Sequence, residues 1–199
     1  MRLIGRHQVP NALAAAAIAT AFDVPIEKIA SGLSTAEVSS KWRMEISEIG
    51  SVLLINDSYN ANPESMRAAL ETLRYFAQAR GGRAWAFLGK MHELGVDSDA
   101  DHRRIIDYAD SLEIDHVVAV ATPEYQSSTS STLGTLGTLG THSFLHHVAD
   151  FSEALAISKE ITDGDVILVK GSRAEGLERL SDELKDFLRS HHLTSEGER

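Results

Sequence analysis

Short strand-like runs alternate with helix-like segments through most of this chain, and that alternation limits its fold more than any other feature. Residues 44–49, 52–55, 83–88, 116–121, 144–147 and 165–169 read as strands. Residues 64–79, 98–111 and 150–161, and a last segment to about residue 188, read as helices. Strands that alternate with helices imply a mostly parallel sheet covered on both faces. Strand twist makes the crossovers between them right-handed. The fold class is therefore α/β. Gly50-Ser51 turns the first two strands, Gly81-Gly82 ends the first amphipathic helix, and Asp150 suits a helix cap.

Ahead of this alternation lie an alanine-rich stretch over residues 8–22 and a second helical stretch over 25–33. Alanine has the highest helix propensity and allows close packing. Residues 34–42 are polar and irregular and read as a hinge. Residues 127–140 repeat Ser, Thr and Leu-Gly and read as a solvated surface loop. The tail 191–199 holds His191-His192 and reads as a frayed end rather than a metal site.

A chain of 199 residues with 43% hydrophobic content suits one domain plus an appendage with a proper core. A formal net charge of −10 argues against a general nucleic-acid binder. It leaves room for a nucleotide, which needs only a few local cations. Cysteine is absent, which excludes disulfides and thiolate metal sites. No stretch reads as a signal peptide or reaches membrane-spanning length.

The chemistry concentrates in Asp57-Ser58-Tyr59-Asn60-Ala61-Asn62-Pro63, between an apolar run and a helix. Ligands of α/β sheets bind at the carboxyl ends of strands. An acid there can accept hydrogen bonds from ribose hydroxyls, and a helix N-terminus favours anions. The same residues could equally form a capped turn with no ligand; Asn62 and Pro63 suit a helix start.

The wording of this stretch, DSYNANPESM, resembles the start of the C-terminal domain of the Mur ligases, ATP-dependent amide ligases of peptidoglycan synthesis. GRHQVPNALAAAAIA resembles the end of that family's central ATPase domain. LGKMHELG and LVKGSR resemble loops of the branch that adds D-alanyl-D-alanine. The resemblance covers most of residues 5–188 and implies a Rossmann-like domain over 41–190. It also implies that residues 1–40 are the last helices of the central domain. No G-x-x-x-x-G-K-[ST] occurs in the chain, so the phosphate loop is expected upstream. The chain then reads as the C-terminal piece of a longer cytoplasmic enzyme, inactive alone. Its partners would be D-alanyl-D-alanine and UDP-N-acetylmuramoyl tripeptide. Its cofactors would be ATP and Mg²⁺, both held mainly by other domains. No protein partner is implied. A folylpolyglutamate synthase-type ligase and a noncatalytic nucleotide- or peptide-binding module are the rival readings.

The resemblance also implies site residues. Asn11 matches an adenine-site asparagine, and an amide can serve both edges of a purine pattern. Arg43 matches an arginine that reaches ATP, although Ser39-Ser40-Lys41-Trp42 departs from the family's Pro-Gly at that point. Asp57 matches a ribose-binding acid, with Tyr59 and Asn60 on the same edge. Lys90 stands where the branch usually has an acid. His92 and His102 are the candidate catalytic residues, each also readable as structural. Lys170, Ser172 and Arg173 follow a strand beside Gly171, where two cations and a hydroxyl suit the free carboxylate of the dipeptide. Each cation also reads as a solvated charge or surface ion pair.

Overall fold

The computed structural model describes residues 8–36, 41–126 and 144–195. Residues 1–7, 37–40 of the expected hinge, 127–143, which include the expected surface loop over 127–140, and 196–199 of the tail lie outside them. The chain opens with helices α1 (Gln8–Ala21) and α2 (Ile26–Thr35). They pack against each other and bury none of their residues; Leu13, Ile18, Phe22 and Ile26 are exposed.

From residue 45 the expected alternation appears. Strands β1 (Glu45–Ile49) and β2 (Val52–Asp57) form a hairpin, followed by α3 (Pro63–Arg80) and β3 (Ala84–Leu88). Then come α4 (Ser98–Ser111), β4 (His116–Val120), β5 (Leu145–Val148), α5 (Phe151–Ile157), β6 (Val166–Lys170) and α6 (Leu177–Ser195). The six strands lie in the order β1-β2-β6-β3-β4-β5. All neighbours are parallel except β1 and β2.

Both faces of the sheet are dry. Along β6, Val166 and Leu168 pack toward α3 and α4, while Ile167 and Val169 pack toward α5 and α6. That two-sided burial explains the unbroken apolar runs in β3, β4 and β6. The helices α3 and α4 carry the chain one way along the sheet. Helix α5 carries it back, on the opposite face, as right-handed crossovers require.

Local chemistry sets the helix ends. Asn62 Oδ1 accepts from the Ser65 N–H at 2.8 Å and Ser65 Oγ accepts from the Asn62 N–H at 3.1 Å, a reciprocal cap with Pro63 in the first turn. Gly81 closes the helix at φ 70°. Two ends differ from expectation. Helix α5 stops at Ile157 and a 3₁₀ turn, Ser158–Glu160, follows. The buried Ser158 hydroxyl donates to the Ala154 carbonyl at 2.9 Å, a side-chain bond that competes with the helix ladder. Helix α6 runs past residue 188 to Ser195.

Candidate functional site

β6 sits between β2 and β3, yet its chain exits to the opposite face of the sheet from theirs. A crevice forms at the carboxyl edge wherever neighbouring strands part in this way. The loops after β2, β3 and β6 meet there, and they hold most of the candidate residues.

Their centre is an ion pair. Lys170 Nζ donates to Asp57 Oδ2 at 2.6 Å and to the Asn60 carbonyl at 2.8 Å. Parallel register sets Asp57 directly beside Lys170 at the ends of β2 and β6. Lys170 is 1% exposed, and burial pulls its pKa below the usual lysine value, with the Asp57 charge opposing. Asp57 Oδ1 accepts from the Met44 N–H at 3.1 Å, so the carboxylate also fixes the segment that enters β1.

That segment carries two aromatic–cation contacts. The Arg43 guanidinium lies 4.2 Å from the centre of the Tyr59 ring. The Arg173 guanidinium lies 4.1 Å from the centre of the Trp42 ring and pairs with Glu178 at 2.5 Å. The Tyr59 N–H donates to the Trp42 carbonyl at 3.0 Å, which ties the two together. Flat guanidinium groups stack on rings and keep their in-plane donors for other partners.

The β3 loop closes the other side. Gly89 and Gly171 approach closely: a Cβ at Gly171 would lie 3.2 Å from the Gly89 Cα and 2.7 Å from a Leu177 methyl. Ser172 Oγ accepts from the His92 N–H at 2.9 Å. The His92 ring pairs with Glu175, and Lys90 pairs with Glu124. The Glu124 bond holds the Lys90 pKa above its ordinary value, and that of Glu124 correspondingly low. Tyr125, fully buried, donates to the Gly89 carbonyl at 3.0 Å; burial pushes its phenol well above its usual range.

The structure brings Arg43, Asp57, Tyr59, Asn60, His92, Lys170, Ser172 and Arg173 to one edge. Two of them, Lys170 and Ser172, are internal, as is His102 on α4, so these three side chains are turned into the fold rather than offered at its surface. Lys170 is committed to Asp57 and Asn60, because its ammonium would otherwise be buried without a partner. Ser172 is 4% exposed and its hydroxyl joins the loops, reaching toward the Ala61 carbonyl at 3.4 Å. His102 is fully buried: its Nε2 accepts from the Met91 N–H at 3.0 Å and its Nδ1–H donates to the Ser98 carbonyl at 2.7 Å. Both ring nitrogens are used, so His102 shapes the loop rather than facing a ligand. Asn11 lies exposed on α1, with its amide on Gln8 at 3.2 Å.

Glu175 and Glu178 join the site although no sequence motif singles them out. Their one sequence signal is position: an acid in the first turn of a helix or 3₁₀ turn beside a loop arginine. Among the described residues no group of three or more His, Cys, Asp or Glu side chains could hold a metal ion.

Residues 42–173, which reach from the segment entering β1 into the loop after β6, match the family model described as Mur ligase, glutamate ligase domain. The chain belongs to the Mur ligase family. Among Mur ligases it is 39% identical over 193 residues to UDP-N-acetylmuramoyl-tripeptide–D-alanyl-D-alanine ligase of Mycobacterium bovis, covering 90% of this chain and 38% of that ligase. It is 34% identical over 181 residues to the ligase of the same name from Escherichia coli K12, covering 89% and 37%. The fold is similar to the crystal structure of MurF from Acinetobacter baumannii, with TM-score 0.76 and 30% identity over 94% of this chain and 39% of that one. The chain thus spans well under half the length of the Mur ligases it matches.

Proposed function

We propose that this chain forms the C-terminal part of an ATP-dependent ligase that joins D-alanyl-D-alanine to UDP-N-acetylmuramoyl tripeptide in peptidoglycan synthesis. The observation that carries the reading is the pair of ring-backed arginines, Arg43 and Arg173, at the same sheet edge as the buried Asp57–Lys170 pair. The names of its relatives support the substrates.

The chemistry needs a nucleotide contact and an amine-side contact on adjoining loops. Amide formation through an acyl phosphate requires the amine close to the activated carbonyl, with water kept out. The residues fit a nucleotide. Tyr59 offers an aromatic face, Arg43 a charge for phosphate, and Asp57 keeps unused acceptor capacity for ribose. Asn11 is assigned to the adenine and Asn60 to the nucleotide edge. ATP, when bound, supplies the phosphoryl group that activates the carboxyl. Arg173 receives the free carboxylate of the dipeptide. His92, whose Nε2 pairs with Glu175, is assigned the proton of the amine, taken through Nδ1.

No cluster among the described residues suits Mg²⁺, and no phosphate loop occurs in the sequence. The reading assigns both to the rest of the enzyme, with residues 1–40 as its adjoining helices and 41–190 as this domain. Among the described residues no helix is long and apolar enough to cross a membrane. The proposed dependence on ATP and a UDP-linked precursor supports a cytoplasmic activity.

The test is ADP release by a ligase that carries this chain as its C-terminal part. Release should require both the UDP-linked tripeptide and D-alanyl-D-alanine. Release driven by a folate and glutamate instead would overturn the reading.

A further inference from the structure

Arg173 belongs to the β6 loop, but its guanidinium rests on Trp42, a residue of the segment entering β1. We propose that Trp42 is a positioning residue for the dipeptide: it holds Arg173 as a preformed fork for the free carboxylate. The inference rests on the carboxylate role given to Arg173 above and adds the residue that makes that role effective.

An arginine with a half-exposed side chain, as Arg173 has, normally samples many rotamers. Here two contacts remove that freedom. Glu178 takes Nη1, and the Trp42 ring covers one face of the guanidinium plane. Neither contact uses the whole in-plane donor set, and a planar fork binds a carboxylate through that edge. An arginine already oriented loses less freedom when the anion arrives.

Trp42 is itself held. Its carbonyl accepts the Tyr59 N–H, and the Met44 N–H two residues on is bound by Asp57. Its backbone adopts φ 59°, a conformation uncommon for a residue other than glycine. The next side chain, Arg43, goes to Tyr59 instead. Two consecutive residues therefore serve two ring–guanidinium pairs. The nucleotide-side and dipeptide-side contacts share one short segment of backbone, and displacing it disturbs both.

The experiment is a titration of this protein with D-alanyl-D-alanine and with its C-terminal amide, followed by NMR. Wild type should bind the acid and bind the amide much more weakly. Trp42→Ala should weaken acid binding about five- to tenfold, a range typical of a lost ring–cation contact, and leave amide binding unchanged. Trp42→Phe, which keeps a ring face, should stay within about twofold of wild type. Adding Trp42→Ala to Arg173→Ala should cost nothing further. If Arg173→Ala loses the acid and Trp42→Ala does not, the positioning role falls and the carboxylate role stands. If Arg173→Ala binds as wild type, or wild type binds neither probe, both fall. Equal losses of acid and amide in Trp42→Ala would mean general disruption and would also overturn the proposal.

Discussion

Lys170 Nζ lies 2.6 Å from Asp57 Oδ2, joining residues 113 positions apart at the ends of adjacent parallel strands. A buried pair of this kind contributes little net stability over apolar replacements, but removing one partner strands the other. Lys170→Met alone and Asp57→Asn alone should each destabilise the fold by about 3–5 kcal/mol. The double variant should cost clearly less than the sum. Urea unfolding of the four proteins measures the coupling. Strict additivity would mean that the two charges do not sense each other.

His116 stacks on Trp85 with ring centres 3.8 Å apart and is buried. Burial chiefly, with the positive charges of Arg83 and His146, lowers its pKa from the usual 6.5; Asp115 and Glu160 oppose this. The native state therefore binds this proton less readily than the unfolded chain. Stability from the neutral ring is whole above pH 6.5 and declines as pH falls from there through the lower native value. His116→Phe keeps the stack without the titration. It should lose less stability than wild type between pH 7.5 and 5.0, and equal pH slopes would count against this account.

Both nitrogens of His102 are bonded inside the fold, between Met91 and Ser98. His102→Ala should cost about 1–3 kcal/mol, the penalty of a buried group left without its partner. Amide exchange at Met91 should accelerate with it. If His102→Ala abolishes turnover with stability and exchange intact, the residue is catalytic after all.

The Arg43 guanidinium lies 4.2 Å from the centre of the Tyr59 ring, the pair proposed to face the nucleotide. In the complete ligase, Arg43→Ala should lower kcat/KM for ATP by about ten- to a hundredfold, the worth of a charged hydrogen bond. The KM for D-alanyl-D-alanine should move less. A larger effect on the dipeptide would exchange the roles of the two arginines.

The elements were legible because their chemistry is local. Strands buried on both faces read as continuous apolar runs, and Asn62, Pro63 and Gly81 mark the ends of α3 through their own backbone demands. The site was legible only as a set of strand ends. That Lys170 turns inward to Asp57 depends on β6 entering between β2 and β3, and no local signal specifies that register. The Trp42–Arg173 contact is hidden for the same reason. His102 could have been found: it shares a helix face with Ile105, Ile106 and Ala109, all buried.

The position of β6 has a consequence for how the molecule is made. Until residues 166–170 emerge, β1-β2 and β3-β4-β5 are separate half-sheets, each with an open edge waiting for the same strand. Strand β6 joins them through pairings far apart in sequence, the kind of contact that slows folding in general. The same insertion brings Lys170 to Asp57 and Arg173 to Trp42. The strand that completes the sheet thereby also gathers the residues of the candidate site.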